Sequence, residues 1–321
     1  MRPHSYQSIP TSCPTAWTTE YSPEDERVRA LYEKAKREQW ESNSTLDWRL
    51  DVDPERENFP DMQIPIYGTD LWRALDHNAI ATLRQHSTSW MLSQFLHGEQ
   101  GALLAASQIV DTVPWLDAKL YGATQVMDEA RHVEVYERYL REKVEVTYPV
   151  NPELKALLEE ILRDSRWDVK YLGMQILVEG LALAAFQFVH AFTTEPLLKD
   201  ITHHVMRDEA RHVAFGVLSL GDYYRTELSE AELDERARFT YEACRLMRDR
   251  FLQREVWETL GFPVERCVEL TLASPAMTEF RRLLFSRIVP NVKKLGLLTP
   301  WLRERFGELG ILSFESGPAD A

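Results

Sequence analysis

Cysteine is scarce in this chain: Cys13, Cys244 and Cys267 stand far apart, which excludes a disulfide framework and the paired spacing of a zinc knuckle and fits a reducing compartment. Positive charge is in deficit, 37 Lys and Arg against 51 Asp and Glu for a net charge of −14. Such a surface repels phosphate, so nucleic acid is not expected as a partner. The opening residues Met1-Arg2-Pro3-His4 lead into polar sequence without the apolar core of a signal peptide, so the expected location is cytoplasmic. Long hydrophobic runs are also lacking, with one exception. Tyr171 to Phe192 is apolar apart from Gln175, Glu179, Gln187 and His190. A carboxylate at the middle of a lone spanning helix is costly, so this run reads as the central helix of a soluble core and no membrane contact is expected. Glu179 is then buried and needs a partner.

What is present is helix. Only 13 residues are Gly, and Leu, Ala, Glu and Arg recur at helical spacing, which predicts an all-α chain. The 321 residues, 44% hydrophobic with nine Trp, suffice for a large core. Residues 1–67 are Pro-rich and polar except for a helix over Pro23 to Trp40; they read as an N-terminal arm packed on the body, with Trp40, Leu46 and Trp48 docking. Helical pattern over Gly68 to Val113, Pro114 to Val146, Asn151 to Phe192 with a break near Asp164, and Glu195 to Leu228 makes residues 68–228 a four-helix body. Residues 229–321 supply additional helices of the same domain. Ser229-Glu230-Ala231-Glu232 forms a capping box that opens a helix to Leu260, Pro263 and Pro300 suit first-turn positions, and Ser316 to Ala321 reads as a frayed tail.

Comparing the chain with itself is most informative. Asp128-Glu129-Ala130-Arg131-His132-Val133 recurs unchanged as Asp208-Glu209-Ala210-Arg211-His212-Val213, an offset of 80. The same offset relates Glu179 to Glu99. In each half the lone Glu precedes Glu-x-x-His by 30 residues, room for one helix to end, turn and return antiparallel. Glu at i and His at i+3 lie about 60° apart around a helix, so both reach one metal ion. Four carboxylates in an apolar bundle would repel one another, and two divalent cations would balance them. Oxygen-rich ligation with one His per metal favours iron or manganese over zinc. Metal-bound histidines donate their second ring N–H to a carboxylate, the role assigned to Asp128 and Asp208.

At these residues, within about 85–220, the chain resembles the ferritin-like di-iron carboxylate superfamily. Its oxygen-activating members include multicomponent monooxygenase hydroxylases, acyl-carrier-protein desaturases, arylamine N-oxygenases and ribonucleotide reductase small subunits. The resemblance implies a ferritin-like four-helix bundle in which Glu99, Glu129 and His132 hold one metal and Glu179, Glu209 and His212 the other, some glutamates bridging. It also implies that Asp128 supports His212 and Asp208 supports His132. The chain departs from the pattern in places. Leu183 stands where monooxygenase hydroxylases carry a Thr, and Val205 where arylamine N-oxygenases add a third His. His203 and His204 lie nearby but off the ligand face. Tyr136, one turn after His132, marks either a pocket aromatic or a radical site.

The resulting expectation is a non-haem di-iron oxygenase or oxidase with two Fe ions, manganese being the alternative, and O₂ as co-substrate. It would act on a largely apolar small-molecule or carrier-bound substrate by hydroxylation, N-oxygenation or desaturation. A ferredoxin or reductase would serve as electron donor, and a homodimer is compatible. The rivals are iron or peroxide handling like that of ferritins and rubrerythrins, and a radical-generating subunit. Small residues beside the lone glutamates, Gly98, Gly101, Ala102, Gly180, Ala182 and Ala185, leave room either for a pocket or for close helix packing. The ligand candidates span only Glu99 to His212, so specificity is expected to reside in the rest of the chain.

Overall fold

A computed structural model describes residues 6–317. Among these residues no strand occurs, and the architecture is helical throughout. Four long helices form the body: α2 (His77–Thr112), α3 (Leu116–Tyr139), α5 (Trp167–Phe192) and α6 (Pro196–Thr226). Before them lies α1 (Glu26–Arg37), α4 (Pro152–Arg163) sits between the two pairs, and α7 (Glu230–Asp249) follows.

Local chemistry sets the boundaries. The Asp25 side chain caps α1 and Asp76 caps α2, each accepting from backbone N–H groups of the first turn. Pro152 and Pro196 occupy first-turn positions, where their missing N–H costs nothing. The α6 cap is the buried Glu195, whose carboxylate accepts from Leu197 N and Leu198 N at 2.8 and 2.6 Å and from the Tyr139 hydroxyl at 2.8 Å. At the expected break, Asp164 leaves helical geometry and accepts from the N–H of Arg166. The Ser229 capping box is formed, but α7 stops at Asp249 rather than Leu260. A 3₁₀ turn over Arg250–Leu252 and a left-handed Gln253, φ 52°, redirect the chain into Arg254–Thr259. Pro263 is the residue before its helix, not in the first turn, whereas Pro300 does open one. The expected arm helix is shorter at both ends than Pro23 to Trp40. Of the expected tail, Ser316 closes a 3₁₀ turn and residues 318–321 lie outside the described residues.

Short connections make α2 and α3, and α5 and α6, antiparallel neighbours. Glu99 stands thirteen residues before the end of α2 and Glu129 thirteen after the start of α3. The same interval separates Glu179 from the end of α5 and Glu209 from the start of α6. At 1.5 Å per residue, all four reach the same level, ~20 Å from the turns. Helix α5 is the described helix long and apolar enough to span a bilayer, and 83% of its apolar window is buried inside the protein. Just before Glu179 it widens into π-helix over Leu172–Val178, a local bulge that shifts which side chains face inward.

Candidate metal centre

The six residues singled out by the internal repeat converge in the middle of the bundle. Glu99, Glu129, His132 and Glu209 place one ligand atom each within 4.8 Å of one another, and so do Glu129, Glu179, Glu209 and His212. Glu129 and Glu209 thus belong to both groups, while Glu99 and Glu179 serve one each. All six are buried. Nδ1 of His132 faces Glu99, Glu129 and Glu209 at 3.2, 3.3 and 3.2 Å. Nδ1 of His212 faces Glu129 at 3.1 Å and Glu209 at 3.6 Å.

The opposite ring nitrogens point outward to the repeated aspartates in a crossed arrangement. His132 Nε2 lies 3.2 Å from Asp208, and His212 Nε2 lies 3.3 Å from Asp128. Each half therefore orients the histidine of the other. Behind the aspartates, Arg131 bonds Asp128 and Asp208, and Arg211 bonds Asp208 at 2.5 Å and Asp128 at 3.2 Å. Two buried carboxylates are matched by two buried guanidiniums, which removes the cost that either charge alone would carry.

The arm completes this layer. Trp40 donates its indole N–H to Asp208 at 2.8 Å, Gln39 donates to Asp128 at 2.9 Å, and Arg131 donates to Gln39 and to the Trp40 carbonyl. Glu38 accepts from Arg211 at 3.0 Å. Leu46 and Trp48 are core residues and the half-buried Trp40 packs against that core. The polar role of Trp40 was not legible; its ring also lies beside His204. Neither His203 nor His204 joins the ligand groups.

Electrostatics reflect the crowding of carboxylates. Burial and the neighbouring carboxylates push Glu99 and Glu179 well above the usual carboxylate range. Burial also acts on Glu129, but the facing His212 and His132 outweigh it and hold Glu129 low. Burial opposes the charging of the histidines, yet the surrounding carboxylates raise His132 and His212 well above their ordinary value. Glu129 Oε2, Glu179 Oε2, both carboxylate oxygens of Glu209 and His212 Nδ1 are buried without hydrogen-bond partners. Inward-facing lone pairs in a dry interior, four carboxylates and two imidazoles fit a pair of divalent cations. The donor set matches iron or manganese.

Sequence reasoning missed two further polar groups. Gln125, one turn before Glu129, donates to Glu129 at 3.1 Å and to Glu179 at 2.8 Å. Gln175, one turn before Glu179, donates to Gln125 at 3.4 Å. The signal was available: Gln175 interrupts the apolar run, and Gln125 sits on the ligand face of α3. Tyr136 is fully buried, its hydroxyl without a partner, between Phe95 and Phe186 with ring centroids 5.9 Å away in both cases.

Phe95 also lines a cavity of about 330 Å³. Its walls come from α2 (Trp90, Met91, Phe95), α5 (Ala185, Phe188, Phe192), the arm (Phe59, Met62, Ile64) and the C-terminal additions (Phe251, Met277, Phe280, Leu283). Of the small residues flanking the glutamates, Ala185 opens onto this cavity, whereas a Cβ on Gly101 would meet Leu158 at 2.5 Å. Gly101 therefore serves close packing. Ser87 Oγ and Gln253 Oε1, both on lining residues, are buried without partners.

The sequence model of the p-aminobenzoate N-oxygenase AurF family matches residues 22–296. No curated protein sequence matches the chain. Among solved structures, a variant of an R2-like ligand-binding oxidase with an anaerobically reconstituted Mn/Fe cofactor aligns at 18% identity and TM-score 0.52, covering 84% of this chain and 93% of that one. A second variant, aerobically reconstituted, aligns at 18% identity and TM-score 0.52, covering 85% and 92%. These structures share the ferritin-like fold with the chain.

Proposed function

The chain belongs to the p-aminobenzoate N-oxygenase family, whose sequence model spans the bundle, most of the arm and most of the C-terminal helices, and from that premise we propose that it oxygenates the nitrogen of a small aromatic amine. The coarser reading, an oxidoreductase of the di-iron oxygenase and oxidase type acting on a small molecule with O₂, follows from the family itself. The proposed ligands are Glu99, Glu129 and His132 for one iron and Glu179, Glu209 and His212 for the other, with Glu129 and Glu209 shared. When bound, the two irons supply the electrons and open coordination positions needed to reduce O₂.

The protein's own residues do the rest. Asp128 and Asp208 fix the two imidazoles so that Nδ1 faces inward. Phe95, Tyr136 and Phe186 form an aromatic wall on the Glu99 side that excludes water. The observation that carries the reading is the placement of the cavity. Phe95, one turn before Glu99, is one of its walls, and the lining is aromatic and aliphatic with a few polar groups, the form a site for a flat apolar ligand takes. The unmet hydrogen-bonding capacity of Ser87 and Gln253 supports a substrate with a polar substituent. Two electrons from an external donor such as a ferredoxin or reductase and two protons from solvent balance each turnover, one oxygen atom entering the product and one leaving as water.

The test is anaerobic loading with Fe(II), followed by O₂ and a panel of arylamines, fatty acids and carrier-bound acyl chains. N-oxygenated product formed in step with O₂ uptake is the expected result. Oxygenated product from acyl substrates alone would overturn the substrate class. O₂ consumption with no organic product from any of them would favour iron or peroxide handling.

A further inference from the structure

The internal repeat gives the two ends of the centre equivalent ligands, so residues that break the equivalence stand out. At the offset of 80, Gln125 corresponds to Val205, Gln175 to Phe95 and Gly216 to Tyr136. On the Glu99 side, Phe95 packs against Tyr136. In the equivalent place on the other side, Gly216 lies against Gln175, and a Cβ there would sit 2.6 Å from Gln175 Cβ. Glycine at 216 thus clears room for the aliphatic stem of Gln175, whose amide is buried. Gln175 donates to the carbonyl oxygen of Gln125, which obliges Gln125 to present its N–H₂ group to Glu129 and Glu179. Both amides are fully buried. One end of the centre is therefore braced by a hydrogen-bonded amide pair, and the other is lined by Tyr136 and Phe95, of which Phe95 also lines the cavity.

We infer that the duplicated halves are functionally unequal: Gln125 is a positioning residue that fixes Glu179 and the shared Glu129 at the His212 end, leaving the Glu99–His132 end to face substrate. This rests on the metal-ligand reading above. A buried carboxylate that accepts a fixed amide hydrogen bond loses the freedom to swing between coordination modes, whereas Glu99 receives no such bond from a neutral amide among the described residues.

The experiment uses the full chain stripped of metal and titrated with Co(II) alone, read by visible d–d absorption and by metal content. The parent is expected to bind two ions. Gln125→Leu should weaken one of them ten- to a hundred-fold and the other, reached only through the shared Glu129, far less, while Val205→Ala, at the equivalent position, leaves both unchanged. In a Glu99→Ala background Gln125→Leu should weaken the remaining ion strongly; in a Glu179→Ala background the loss should be far smaller. Parent-like binding of both ions by Gln125→Leu, equal weakening of both, or the same loss in Val205→Ala would overturn the inference. Should Gln125→Leu fail to fold, Gln175→Met removes only the amide that orients Gln125. It is expected to weaken the same ion to a lesser degree, and parent-like binding by it would overturn the inference too. A parent that binds fewer than two ions would instead overturn the dimetal reading itself.

Discussion

Trp40 and His132 are joined through one carboxylate: Asp208 accepts the Trp40 indole N–H at 2.8 Å and lies 3.2 Å from His132 Nε2. The arm therefore bears on the orientation of a proposed ligand as well as on the core. Trp40→Phe retains an aromatic ring but removes the donor, leaving Asp208 with Arg131, Arg211 and His132. Weakening a buried, charge-assisted network of this kind costs about 1–3 kcal/mol. The expected outcome is lower unfolding stability by that amount and about tenfold weaker metal binding, measured by denaturant titration and by chelator competition. Stability loss with parent-like metal affinity would reduce the arm to a packing element.

The sharing of Glu129 and Glu209 between the two ligand groups separates the glutamates by consequence. Glu129→Ala or Glu209→Ala should lose both ions, whereas Glu99→Ala or Glu179→Ala should each retain one. Metal analysis after anaerobic loading with Fe(II) checks the pattern, and circular dichroism checks that helical content persists. Two ions retained by either of the variants at Glu129 and Glu209 would show that the ligand map is wrong.

How much of this was legible in the sequence follows from what each residue depends on. The helices, the pairing of halves and the six ligand candidates depend on periodicity and on spacing along single helices, both of which are local. The crossed pairing of Asp128 with His212 depends on how one half meets the other, and it came only from resemblance. The polar contacts of Glu38, Gln39 and Trp40 depend on where an arm distant in sequence docks. The early end of α7 lies in a 3₁₀ turn over Arg250–Leu252 followed by Gln253, a non-glycine residue held at positive φ, which no composition signal announces. The cavity is made by the arm and the C-terminal helices closing over α2 and α5, an assembly of distant segments that no local pattern announces.

The pH dependence of the metal-free protein has a definite sign. Glu99 and Glu179 are raised by burial above their ordinary 4.5, and facing carboxylates raise His132 and His212 above 6.5. A folded state that binds extra protons loses stability as pH rises through those folded values. Glu129 and Asp208 are held low, by the facing histidines and, for Asp208, by Arg211 as well. Their contribution is complete above the unfolded carboxylate range and fades only in acid, so it does not oppose the trend near neutrality. Bound metal needs deprotonated ligands, so its affinity rises with pH. Between about pH 6 and about pH 8 the melting temperature of the metal-free chain should fall, and its gap to the metal-loaded chain should widen by at least ~3 °C. Differential scanning fluorimetry with and without chelator reads both; a gap that narrows with pH would contradict these directions.

Ala185 offers a way to separate substrate binding from metal binding. It lies on α5 six residues after Glu179, is buried, and lines the cavity beside Phe188. Ala185→Leu adds three carbons to the wall of a cavity of about 330 Å³, so the side chain has room to extend and the overpacking cost should stay at the low end of about 1–3 kcal/mol. None of the metal-facing groups changes. Two ions per chain and O₂ uptake should therefore persist, while product formation from the parent's substrate falls about tenfold, chiefly through a raised KM, the loss expected when bulk fills part of an apolar pocket. Steady-state kinetics run beside metal analysis distinguishes the two effects. Unchanged KM and turnover in Ala185→Leu would mean that substrate reaches the centre by another route, and the cavity beside Phe95 would lose its assigned role.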